Sequence, residues 1–239
     1  MYLDKDSYFS IFILLYFMNM AVTAQQVIDA QAHIGSLKSE SHPKTSQYWS
    51  EVTNGLVIMN PETIAEQINS VHEKLAQAKK EGKEILVACE KQMYAQELED
   101  FAKKGGYSFL NYKISGGFMT NFSTFKKRID GINEMAAFLK SEAYSSLTKK
   151  EQLIYRRKFE KVNKVYKGVV NLKKRPDIIV VVDGEMLNTL LDETENLAGV
   201  ETIVIASSNF SRYWDEKNII MANVNSHKSI DFVIKNILS

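Results

Sequence analysis

The chain has one cysteine, no phosphate-loop signature and no apolar run long enough for a bilayer, and each shortage excludes something. A single cysteine, Cys89, rules out an internal disulfide. It lies in the apolar run "EILVACE", the setting of a buried structural thiol rather than a nucleophile. The four histidines, His33, His42, His72 and His227, are scattered and have no cysteine partners at ligand spacing, so no metal site is expected. The apolar stretch at residues 8–17 falls short of the ~20 residues that span a membrane. Its flank, with Asp4, Lys5 and Asp6, is net negative where a secretory signal needs positive charge.

Net charge is also nearly lacking, at +1 over 239 residues, but it is unevenly laid out. Residues 1–120 carry −3, residues 121–175 carry +10, and residues 176–239 carry −6. A basic block of that strength between acidic flanks is the footprint of a segment that faces a polyanion. The bland alternative is a pair of solvated lysine-rich helices.

Outside that block, apolar β-rich runs alternate with amphipathic helical patterns. "GLVIM" (55–59), "EILVAC" (84–89), "YSFLNY" (107–112), "DIIVVVD" (177–183), "ETIVIAS" (201–207) and "NIIMAN" (218–223) read as strands. Residues 61–82, 91–106, 185–197 and 226–238 read as helices, the first with Pro61 in its first turn and Gly82 at its end. Continuous apolar strands separated by helices predict a parallel sheet covered on both faces, a three-layer α/β domain.

The basic block has a different period. Phe122, Phe125, Ile129, Ile132, Ala136 and Leu139 follow heptad spacing, as do Tyr155, Phe159, Val162, Tyr166 and Val169. "TKKE", Thr148 to Glu151, fits a capping box that opens the second helix, and "KSEAYSSL" is a polar turn between the two. Residues 121–170 are therefore expected to form an antiparallel coiled-coil hairpin inserted in an α/β domain made of 20–120 and 171–239. Its outside presents Lys126, Lys127 and Arg128, then Arg156, Arg157 and Lys158, with Lys173, Lys174 and Arg175 following.

A parallel α/β sheet invites a nucleotide, but the turn after "GLVIM" is "NPE", without the glycines that let backbone approach pyrophosphate. Gly116-Gly117 follows a strand and precedes a helix, so it is the one candidate phosphate loop, with Asp183 at a strand end as a possible metal holder. The bland reading of that loop is a turn whose helix is capped by Thr120 or Asn121.

Taken in order, the landmarks resemble the small-subunit ribosomal protein two family in its bacterial or organellar form. "AQAHIGS" with His33 and Gly35, Pro43-Lys44, "VIMNPETI", "SGGFMTNF", "LTKKE" at 147–151 and "PDIIVVVD" at 176–183 stand where that family has its motifs. The likeness covers roughly residues 20–239. It implies that translation starts at Met20 and that residues 1–19 are an upstream extension. It also implies a flavodoxin-like domain with a protruding hairpin, and a structural protein of the small subunit. Such a protein binds ribosomal RNA and neighbouring ribosomal proteins at the head–body junction near the mRNA exit. No catalysis, cofactor, small-molecule substrate or membrane is implied, and the location is the ribosome of a bacterial cytoplasm or an organelle matrix. The expected RNA-binding residues are Lys44, Lys113, Gly116, Gly117, Thr120, Asn121 and the three basic triplets. The chain departs from the family at "SLKSESHP" and at Ser207-Ser208-Asn209, which shifts the expected RNA contacts towards the hairpin. The alternative is a nucleotide-binding α/β enzyme that uses the Gly-Gly loop.

Overall fold

In a computed structural model, residues 21–239 are described, and the extension expected at 1–19 lies outside them. Helix α1 (Ala24–Asp29) opens on a capping box between Thr23 and Gln26. Strands β1 (Ile34–Leu37), β2 (Trp49–Thr53) and β3 (Leu56–Met59) then form a small antiparallel sheet in the order β1-β3-β2. This corrects the expectation that residues 55–59 belong to the parallel alternation. A four-residue apolar run has no periodicity to tell the two apart. The deciding signal is Asn54-Gly55, both at positive φ (53° and 79°), a two-residue turn that folds β2 back on β3.

Helix α2 (Pro61–Lys80) is capped by the Asn60 side chain and buries Ile64, Ile68, Val71 and Leu75 along one stripe. Strand β4 (Ile85–Ala88), helix α3 (Ala95–Gly105) and strand β5 (Ser108–Leu110) follow. Next come α4 (Phe122–Phe138), the one-turn α5 (Glu142–Ser145) and α6 (Lys149–Tyr166). Strand β6 (Ile178–Val182), helix α7 (Asn188–Glu195), strands β7 (Glu201–Ala206) and β8 (Ile219–Met221), and helix α8 (His227–Leu238) complete the chain.

The five strands β4 to β8 are all parallel, in the order β5-β4-β6-β7-β8. Counted along the chain that is 2-1-3-4-5, the flavodoxin-like order. The crossovers β4-α3-β5 and β6-α7-β7 run in opposite directions across the sheet. With right-handed crossovers, α3 and α7 therefore cover opposite faces. Helices α2 and α3 both pack against α8. Every residue of β4 and β6 is buried, as strands covered on both faces require.

Helices α4 and α6 pack antiparallel. Phe125 near the start of α4 meets Tyr166 at the end of α6, with ring centroids 6.3 Å apart, and Phe138 meets Tyr155 at 4.8 Å. The turn between them is more ordered than a polar linker. Tyr144 of α5 is buried against Phe138 and Tyr155, and the Gln152 side-chain amide donates to the carbonyls of Tyr144 and Leu147. The capping box forms as predicted: Glu151 N donates to Thr148 Oγ1, and Thr148 N to the Glu151 carboxylate.

After α6 the chain turns back onto the sheet at Gly168. A Cβ there would lie 2.1 Å from the Phe109 carbonyl oxygen of β5, so only glycine lets the backbone pass. Gly168→Ala is expected to cost about 1–3 kcal/mol through forced displacement. Urea denaturation checks this as a lowered midpoint with an unchanged slope.

Candidate nucleic-acid interface

The Gly-Gly loop is already occupied. Glu193 reaches across from α7, and its carboxylate accepts from the backbone amides of Gly117, Met119 (2.8 Å) and Thr120 (3.3 Å). Gly117, at φ 86°, supplies the left-handed turn that aims these amides inward. Converging amides ahead of a helix are an anion site, and here the anion is the protein's own. Glu193 is 9% exposed, so its charge is satisfied by these donors rather than by water. The helix start is thus held from outside. Neither Thr120 nor Asn121 caps it: Asn121 makes no side-chain cap bond, and its Oδ1 accepts only from the Thr124 hydroxyl.

The crevice where a flavodoxin-like sheet holds a ligand lies between the carboxyl ends of β4 and β6. Here the chain's own side chains are engaged with one another along it. Lys91 Nζ lies 2.6 Å from Asp183 Oδ2, with both side chains largely buried, and Asp183 Oδ1 accepts from Met186 N. Glu90 takes the amide of Ile114 at 2.6 Å. Among the described residues no His, Cys, Asp or Glu group could hold a metal ion. Burial pushes the nearby Cys89 thiol up to about 11, too high for a nucleophile. The phosphate-cradle reading is therefore disfavoured, since the amides of the loop already have an occupant.

A second carboxylate holds the other foot of the helical pair. Glu99 of α3 is 7% exposed and pairs with both Lys103 and Lys167, the latter just after α6. Burial alone would raise its pKa, but the hydrogen bonds from the two ammonium groups bring it below the usual glutamate range. Lys164 adds its ammonium over the Tyr112 ring, 4.2 Å from the centroid.

The basic residues singled out in the sequence do not converge on one surface. Lys127, Arg128, Arg156, Arg157 and Lys158 are exposed on α4 and α6, and among the described residues none makes an ion pair. The same holds for Lys113 beside the Gly-Gly loop. Lys126 is tied to Asp130 at 2.8 Å. Lys173 is exposed, but Lys174 pairs with Asp177, and Arg175 donates to the Ala198 carbonyl. That last triplet sits at the amino-terminal end of β6, the opposite end of the sheet from Gly116-Gly117. Lys44 is engaged elsewhere, its ammonium donating to the Ser211 carbonyl and lying over the Tyr213 ring. There the departing loops fit each other. Ser208 Oγ accepts from Ser36 N, and Gly35 passes so close that a Cβ would stand 2.7 Å from that oxygen. Glu193, Glu99 and Lys167 gave no local signal in the sequence.

Comparison with known proteins decides the family. The sequence profile described as Ribosomal protein S2 matches residues 27–239. The chain belongs to the ribosomal protein S2 family. It is 31% identical over 188 residues to the small ribosomal subunit protein uS2 of Petrotoga mobilis, covering 79% of this chain and 65% of that protein. It is 30% identical over 176 residues to the uS2c protein of Cyanophora paradoxa, covering 74% and 76%. With uS2c of Cyanidium caldarium it shares 29% over 216 residues, 90% of this chain and 88% of that one. Ribosomal protein S2 is a structural family and not an enzymatic one.

Two outcomes are expected in this S2 chain. Glu193→Ala strands three amide donors and should destabilise by roughly 2–4 kcal/mol. Glu193→Gln, which keeps one acceptor oxygen, should fall between, and thermal or urea unfolding ranks the three. Glu99, held below its ordinary pKa in the folded state, contributes stability that is full above the unfolded glutamate pKa and lost as pH falls through the folded value. The stability gap between wild type and Glu99→Gln should be constant near neutrality and shrink on acidification below that range. A gap that does not change with pH would refute the pairing.

Proposed function

We propose that the chain is a structural constituent of the small ribosomal subunit whose helical pair, a coiled-coil arm at residues 121–170, binds ribosomal RNA. The observation that carries this reading is the contrast in how charge is used. Lysines of the α/β body are mostly spent internally, as in Lys74 to Glu201, Lys91 to Asp183 and Lys167 to Glu99. On α6, Lys149, Lys150, Arg156, Arg157, Lys158 and Lys161 are exposed, and among the described residues none has an acidic partner. Unpaired cations along one arm neutralise phosphates and release counterions, an interaction that needs no particular base sequence. Arg128 and Lys127 extend the same charge onto α4, and Lys113 places one more cation at its foot. Rigid feet at Glu193 and Glu99 let such an arm hold a fixed angle to the body.

The ribosomal location, in a bacterial cytoplasm or an organelle, is supported by the names of bacterial uS2 and of uS2c relatives. Within the subunit we place the protein at the head–body junction near the mRNA exit, among neighbouring ribosomal proteins, as the family resemblance implies. Gly116 and Gly117 serve that function as the mount of the arm. The Gly117 amide is given to Glu193, so the loop's part in RNA binding is to carry the arm and its cations.

Reversing Arg156, Arg157 and Lys158 to glutamate is expected to weaken binding to small-subunit ribosomal RNA. The slope of log affinity against log salt should flatten by roughly 2–3, at about 0.9 for each duplex phosphate no longer neutralised. Filter binding over a salt series measures both. Sedimentation of lysate through a sucrose gradient should place the wild-type protein with the small subunit. Unchanged affinity and slope in the triple variant would remove α6 from the RNA interface, and a protein found only at the top of the gradient would sink the ribosomal reading.

A further inference from the structure

Helix α2 buries one stripe in the core, and another of its faces carries a groove of about 410 Å³. Asn69, His72, Ala76 and Lys80 line it, spaced by three or four, and Ala21 stands beside them. That spacing makes a single helix face about 16 Å long at 1.5 Å per residue. Asn69, His72 and Ala76 are half-buried. Among the described residues, His72 Nδ1 is buried with no hydrogen-bond partner, which is uncommon for a buried polar atom. The chain meets this groove at a fixed point. Val22 N donates to Asn69 Oδ1 at 2.8 Å, and Asn69 Nδ2 donates back to the Val22 carbonyl at 3.1 Å. This two-way clamp holds Val22 on the Asn69 turn, so the residues that lead to Ala21 arrive at the groove.

We propose that the groove is the docking site of residues 8–17 of the same chain, "YFSIFILLYF". This segment lies outside the described residues and outside the span of the family match, 27–239. Nine of its ten residues are apolar, Ser10 being the exception. A run that apolar is an aggregation liability in water. Yet it is too short to span a bilayer, and its flank has the wrong sign for secretion. Only residues 18–20 separate it from Ala21, so its effective concentration at the groove exceeds that of any untethered partner. Ten residues reach about 15 Å even when coiled as a helix, enough to cover the groove. Glu73 and Lys80, both of which line the groove, carry opposite charges that cancel, so charge selects neither a polyanion nor a basic peptide. Apolar contact selects the occupant, and the buried His72 nitrogen gains a partner from the docked chain. Translation then starts upstream of Met20, not at the start that the family resemblance implies.

The test uses the full chain and reads the segment's position directly, so it stands whether or not the ribosomal reading holds. A photo-crosslinking residue in place of Gln77, exposed beside the groove, is expected to attach to residues 8–17 of the same molecule, as mapped by peptide mass spectrometry. Attachment to RNA, to another protein or to a second copy overturns the proposal, and so does no attachment. A natural protein whose intact mass shows that it begins at Met20 overturns it as well. Leu14→Ser is expected to lower the thermal midpoint by about 3–6 °C, as the loss of one buried leucine in a chain of this size implies. Ala76→Glu should also lower it, and the double variant should fall no further than the more damaging single one, because both changes break one contact. An unchanged midpoint in either single variant, or effects that simply add, would separate the two positions and overturn the docking.

Discussion

The carboxylate of Glu193 is the contact on which the arrangement of the molecule turns. It is a buried charge, and a buried charge without donors costs several kcal/mol. Its three donors are backbone amides at the start of a helix, where the helix dipole also favours a negative group. Satisfying Glu193 therefore fixes the direction in which α4 leaves the body. Because Glu193 sits on α7, that direction is referred to the sheet through β6 and β7. Glu99 does the same for the returning end, joining α3 to Lys167. Since α3 and α7 cover opposite faces of the sheet, the arm is gripped from both.

Charge in this protein then divides into two uses. Cations of the body face carboxylates and hold elements together, and their removal should be felt as lost stability. Cations of the outer faces of α4 and α6 face solvent, and they add self-repulsion that the fold alone does not need. Under the proposed function, phosphates of ribosomal RNA offset that cost.

Much of this was legible locally. Helices with a proline or a capping residue at one end and glycine or lysines at the other fell within a few residues of expectation, as at α2 and α6. The apolar runs of β4, β6 and β7 were unambiguous because both faces are buried. The small antiparallel sheet was missed: its strands are four or five residues long, and its only strong signal was Asn54-Gly55. The basic triplets were read as one set because they are close in sequence. Yet Lys174 and Arg175 have already passed Gly168 and reached the far end of the sheet. Glu193 was invisible for a plainer reason. It acts on residues more than seventy positions upstream, and nothing in "LLDETEN" marks it apart from its acidic neighbours.

The internally satisfied loops at the carboxyl ends of the strands explain how a fold that often serves ligands can serve as a mount. In a flavodoxin-like sheet the loops after the strands at the switch point are free to wrap a ligand, and that freedom is also a source of looseness. Here the same loops close on side chains. Asp183, at a positive φ of 68°, turns back to Lys91, Glu90 holds the Ile114 amide, and Glu193 fills the nest beneath Gly117. The Glu90 and Glu193 contacts each add a fixed point for the 111–120 loop. A donor or acceptor committed to the chain in this way cannot also serve a ligand, so what it contributes is rigidity. For an arm proposed to present Arg156, Arg157 and Lys158 to RNA, that rigidity is what the carboxylate at position 193 contributes.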